Sequence, residues 1–155
     1  MNKKYFWDEF KEPQKELIKE ELLGGGYRDL QYIYGGWLTS GLAGTIQDSR
    51  SVKTHELFLA WLLPLLKSGQ LKMRREKIQA ETDPEKIRLF RENAIFKGLI
   101  PGKEWKVMGY EETTSEKIEA DIEKLKADWN ACPNDDVNMF EMSIHFILPE
   151  NKWPD

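Results

Sequence analysis

Near the C-terminal end of the chain, Glu141, Ser143 and His145 recur at every second position. On a strand, residues two apart share a face, so this row would set an acid, a hydroxyl and an imidazole side by side. Nucleophilic catalysis needs an activated side chain with a base in reach, and these residue types can supply both. A solvated strand face explains the same row more simply and is the preferred reading. Cys132, the single cysteine, rules out an intrachain disulfide; next to Pro133 at the end of a helical pattern it reads as a small apolar filler. His55 falls in the first turn of an apolar segment and is expected to be an exposed neighbour of a helix cap. Two histidines far apart in sequence and one cysteine make a zinc site improbable, no EF-hand pattern is present, and no metal or cofactor is expected.

Other motifs resolve into structure rather than chemistry. Glu111-Glu112 and Asp135-Asp136 are paired carboxylates, but glycosidase-type work needs two acids facing a cleft from separate positions. Gly24-Gly25-Gly26 is read as a helix terminator, since no Lys-Ser/Thr follows it; the stretch from Gly98 to Lys103 likewise lacks the spacing of a phosphate loop. Lys72, Arg74, Arg75 and Lys77 form a basic patch, continued by Arg88 and Arg91. No aromatic stacking motif accompanies it and the sequence pI is about 5.4, so no nucleic-acid partner is expected. The patch is read as a complement to acidic segments of the same fold.

Charge is unevenly spread. Residues 70–106 hold ten basic and six acidic side chains, whereas residues 107–155 hold four basic and twelve acidic. Phosphates and carboxylates repel, so the acidic third disfavours nucleic acid and favours a basic protein partner. A solvated acidic face that only maintains solubility is the competing explanation. The N-terminus meets Asp8 and Glu9 before any apolar run develops, which points away from a secretory signal and towards a cytoplasmic protein without a membrane span.

The elements that would position these groups follow from periodicity. Length favours a single domain, and six tryptophans argue for a substantial core. Its centre is expected in the stretch from Thr54 to Gly69, apolar from Leu57 to Leu66 apart from Pro64 and so buried on nearly all sides. Thr54 is the expected N-cap, residues 54–68 the helix, and Pro64 the cause of a kink or break near Leu63. Pro13 to Leu23 should be helical, and residues 27–46 a helix weakened by glycines that permit close packing against the central helix; Trp37 and Trp61 should share the core. Short strands are expected after Gly69 and from Glu104 to Tyr110. Asp83-Pro84-Glu85 should open a helix to about Lys97. Thr113 and Glu116 form a capping box ahead of a helix from Ser115 to Ala131, with Ile118, Ile122, Leu125 and Trp129 on one face. Val137 to Leu148 fits a strand better than a helix. The fold class is therefore α+β, mostly α, around the central helix with a small antiparallel sheet.

The series Phe58-Leu59, Leu62, Leu65-Leu66 and Gly69-Gln70-Leu71-Lys72, followed by Asp83-Pro84-Glu85-Lys86-Ile87-Arg88-Leu89-Phe90-Arg91, resembles small bacterial immunity proteins of contact-dependent-inhibition and polymorphic toxin systems. Trp129 to Pro133 is similar to a Trp-x-x-Cys-Pro-like region of that family, while Leu99 to Glu112 has no counterpart in it. The resemblance covers about a third of the chain. It implies a cytoplasmic, non-enzymatic protein that binds a toxin domain, commonly a nuclease, and occludes its active site or substrate surface. Glu119, Asp121, Glu123, Asp128, Asp135 and Asp136 would then form an acidic face for a basic toxin. Another inhibitor or adaptor, for instance phage-encoded, is the alternative, and a small enzyme using His145 and Glu141 comes third.

Overall fold

The structure is a computed structural model and describes residues 5–44, 48–80, 82–92, 105–131 and 143–153. Asp135, Asp136, Cys132 and Glu141, and the capping of the Asp83 helix beyond Glu92, lie outside the described residues. A 3-10 turn (Phe6–Glu9) precedes α1 (Gln14–Leu23), β1 (Arg28–Asp29), α2 (Leu30–Thr39), α3 (Val52–Lys67), β2 (Lys72–Ala80), α4 (Pro84–Glu92), β3 (Trp105–Glu112), α5 (Ile118–Ala131) and β4 (Ile144–Ile147). The strands form one antiparallel sheet in the order β1-β4-β2-β3. The fold is thus α+β and mostly α, with the expected small sheet.

The central helix differs from expectation at its start. Ser51, not Thr54, is the N-cap: its Oγ accepts from the Thr54 N–H at 3.1 Å and lies 2.7 Å from the Thr54 hydroxyl. Both residues can cap, but three residues further upstream the chain already has extended backbone, so the first hydroxyl takes the position. Burial is also one-sided. Thr54, His55, Phe58, Leu59, Leu62, Leu65 and Leu66 are buried, while Lys53, Glu56, Leu57, Ala60, Pro64 and Lys67 form an exposed stripe at helical spacing. An apolar run without charges does not reveal which of its sides meets water.

That stripe also explains why α3 does not break at Leu63. Pro64 removes the N–H that would have bonded the Ala60 carbonyl, but Ala60 and Pro64 are both exposed, so water can satisfy that carbonyl. The next turn closes normally, with the Ser68 N–H donating to the Pro64 carbonyl at 2.9 Å.

The core is an aromatic column around α3. Trp129 of α5 stands edge-on to Tyr34 at 4.8 Å, Tyr34 to Phe58 at 5.0 Å, and Phe58 to Trp37 at 5.4 Å. Trp37 and Trp61 share this core as expected, 6.4 Å apart, and Trp61 leads on to Phe10 and Phe6. In α2, Gly36 permits close packing, though against α1 rather than α3: a Cβ there would sit 2.5 Å from Ile18 Cδ1. The α5 stripe of Ile118, Ile122, Leu125 and Trp129 is buried as its spacing predicts. Its helix begins at Ile118, three residues later than expected, because the Thr113 N–H is engaged by the Met73 carbonyl at 2.9 Å and so belongs to the sheet.

Replacing Ser51 by Ala should lower the unfolding free energy by about 1 kcal/mol in a urea titration, the usual cost of a lost N-cap. Pro64→Ala should instead raise it by about 1 kcal/mol, since alanine restores the missing N–H at an exposed helical position. A loss of stability in Pro64→Ala would show that the proline shapes α3 in a way the core needs.

Candidate functional site

His55 of α3 packs against the C-terminal end of α5. It is 2% exposed, against the expectation of an exposed residue, because it lies a full turn past the Ser51 cap and faces the Trp129 ring of α5 rather than solvent. Its ring stacks on Trp129 at 3.8 Å, its Nδ1 lies 2.8 Å from Asn130 Oδ1, and its Nε2 lies 3.1 Å from the Ser49 carbonyl oxygen. Through these contacts His55 ties the α3 start, the preceding loop and the α5 end together.

With α5 so held, its acids are divided between two flanks of the buried stripe. Glu119 pairs with Lys67 of α3, whose ammonium holds its carboxyl below the usual range by hydrogen bond and charge. Glu123, one turn on, is exposed. Asp121 and Asp128 fall on the opposite flank, towards β2, where Asp128 lies 3.7 Å from Arg75 and 3.3 Å from Lys124. The four do not make one continuous acidic face.

Asp121 and Asp128 do share a cleft of about 430 Å³ between α5 and the β2–β3 ribbon. Met73, Leu125 and Ile144 floor it, and Arg75, Lys77, Lys124, Glu111, Asp121 and Asp128 supply charges of both signs around it. The basic patch on β2 is therefore largely answered within the fold: Arg75 faces Asp128, and Lys72 meets Glu112 at 2.9 Å.

Beside the cleft, β3 is an edge of the sheet formed by the described residues. It exposes Val107 (49%), Met108 (58%) and Tyr110 (48%). The pairing with β2 steps from Lys77↔Gly109 to Ile78↔Val107, leaving Met108 as the extra residue of a bulge. Gly109 has φ +152°, a region that favours glycine, and no neighbouring atom within 4 Å of an added Cβ. β4 braces only Lys72–Arg75, so the rest of the ribbon extends beyond it.

Ser143 and His145 are not on a solvated face: they are 5% and 6% exposed. β4 lies between β1 and β2, and Tyr27 stands edge-on to the His145 ring at 4.7 Å. His145 Nε2 is 3.6 Å from Glu76 Oε1. Alongside them, Arg74, read from the sequence as one member of a basic patch, is buried under aromatic rings, with Tyr110 at 3.9 Å and Tyr27 at 5.5 Å from its guanidinium carbon. The only hint in the sequence is strand alternation, which puts Arg74 and Glu76 on the opposite side from Met73 and Arg75. Among the described residues no three His, Cys, Asp or Glu side chains are grouped to hold a metal ion, and no helix is long and apolar enough to cross a membrane.

Burial pushes the Glu76 carboxyl above its ordinary value of 4.5, with the Arg74 charge pulling the other way. An acid with a raised folded pKa binds its proton more tightly in the native state, so its contribution to stability falls as pH rises through the window above 4.5. Glu76→Gln should therefore gain on the wild type in unfolding free energy as pH goes from about 4 to about 7, and the difference should level off above that window. A difference independent of pH would contradict the burial of this carboxylate.

A comparison of the chain with protein-family models, with curated proteins and with solved structures finds no match.

Proposed function

We propose that the protein is an immunity protein that binds a bacterial toxin domain in the cytoplasm and blocks its active site or substrate surface. The single observation that carries this reading is the pair of exposed large apolar side chains, Val107 and Met108, on an edge strand bordering a cleft of mixed charge. Apolar groups concentrated at one exposed place commonly mark a protein-binding surface, with affinity from a few central side chains and charges around them setting approach and partner choice. Asp121, Asp128 and Glu111 line the cleft together with Arg75, Lys77 and Lys124, and exposed Glu123 lies across α5 from it, so a basic toxin domain such as a nuclease would meet these acids beside the exposed apolar side chains of β3. Asp135 and Asp136 extend the acidic stretch in sequence beyond α5. Recognition would run through side chains, because the bulge at Met108 interrupts the backbone edge that strand addition requires. Another inhibitor or adaptor could use the same surface, and the identity of the partner separates the two.

Co-expression with the toxin domain encoded by a neighbouring gene, scored by survival of the host and by co-purification, tests the proposal. The wild type should protect and co-purify. Val107→Asp combined with Met108→Asp, at positions already in water, should leave the thermal melt unchanged and weaken binding about tenfold or more. Asp121→Lys with Glu123→Lys should chiefly slow association at low salt. Full protection by the Val107/Met108 variant would remove β3 from the interface, and absence of any toxin that the wild type neutralises would favour the adaptor reading.

A further inference from the structure

Opposite the cleft, the other face of the sheet carries Trp153, borne on the chain's own segment that follows Leu148. Leu148 is buried, the Asn151 N–H turns back to the Leu148 carbonyl at 3.0 Å, and Asn151 Nδ2 donates to the Leu22 carbonyl at the end of α1 at 2.7 Å. Trp153 then lies across the strands. Its ring is 4.6 Å from the Arg74 guanidinium carbon, its indole N–H donates to Glu112 Oε2 at 3.0 Å, and Tyr27 meets it edge-on at 6.4 Å. Lys72 holds the other Glu112 oxygen at 2.9 Å.

These contacts divide into a fixed half and a tethered half. Arg74, Glu112 and Tyr110 are on paired strands, with Arg74 also packed on Tyr110 and Tyr27. Trp153 is only half-buried and is carried on a short segment that Asn151 fastens to α1. The fixed half has a defined preference: a cation that attracts an aromatic face, and a carboxylate placed to accept a ring N–H. Among natural side chains, neutral indole offers both an extended π-face and such a donor.

We propose that this face is a recognition site for a tryptophan-bearing polypeptide segment, and that Trp153, carried on the segment after the buried Leu148, is its resident occupant, displaced when a partner presents the same chemistry. It lies on the other side of β2 from the cleft and stands apart from the immunity reading. A short tether keeps the resident indole at an effective concentration on the order of millimolar, so weak competitors are excluded and only a partner with further contacts displaces it.

The probe is a synthetic peptide with the sequence of residues 147–155, titrated into the full chain and followed by backbone amide NMR. Trp153→Ala protein should bind it, with shifts at Tyr27, Arg74, Tyr110 and Glu112, and wild type should bind about tenfold more weakly or worse. Asn151→Ala, which unties the segment but keeps the indole, should fall between them. The peptide carrying Trp153→Ala should not bind. Equal binding of the two peptides, or no binding to a Trp153→Ala protein that retains the folded spectrum, would overturn the proposal. Should that variant lose the folded spectrum, Asn151→Ala decides: no gain in peptide affinity over wild type overturns it too.

Discussion

The fold depends on covering one side of α3. Phe58 sits where the coverage converges, with the rings of Tyr34, Trp37, Trp61 and Trp129 all within 6 Å of its own. Flat rings meeting edge to face fill space at an angle, so helices crossing at different inclinations can be joined without voids. This is why elements as distant in sequence as the N-terminal turn and α5 share one core. It also gives His55 its place: stacked on Trp129, it closes the column with a polar edge that reaches Asn130 and the Ser49 carbonyl. The surface proposed to bind a partner is built on α5 and the ribbon, and α5 takes its position from this column.

The sheet solves a different problem. Its inner face contributes Met73, Ile144 and Phe146 to the core, while its outer face buries Arg74, His145 and Ile147. A buried guanidinium is tolerable where its charge is met by π-faces and by nearby carboxylates, and Tyr110, Tyr27, Trp153 and Glu76 provide both. The α5 acids serve a related end on the inner side, where Arg75 and Asp128 meet beside the cleft. Much of the charge asymmetry along the chain is therefore internal bookkeeping between β2 and its neighbours, and only part of it faces outward.

Where a pattern is set by neighbours in sequence, it could be read. The α5 stripe was legible because charged residues occupy the positions between Ile118, Ile122, Leu125 and Trp129, leaving a single helical period. The one-sided burial of α3 is not legible in this way, since Leu57 and Ala60 are apolar by type yet face water, and type alone does not assign a side. Ser51 and Thr54 are both competent caps three residues apart, and only the backbone conformation chooses between them. Ser143 and His145 alternate as a solvated face would; the burial of His145 comes from β1, β2 and Tyr27, which lie far away in sequence. The aromatic setting of Arg74 draws on Tyr27, Tyr110 and Trp153, three residues that no local period connects. Of the six acids expected to form a face, four can be placed, and helix geometry itself separates Glu119 and Glu123 from Asp121 and Asp128.

The bulge on β3 has a consequence for how the molecule can change over time. A regular exposed edge recognises through its backbone, a grammar common to all chains and indifferent to which residues it meets. With Met108 set out of register and Gly109 in a conformation other residues resist, that common grammar is interrupted, and what remains on offer is the vocabulary of individual side chains. Val107 and Met108 are exposed and lie outside the aromatic column, so each can be exchanged with little effect on the core. Selectivity can drift there one residue at a time while the scaffold stays as it is.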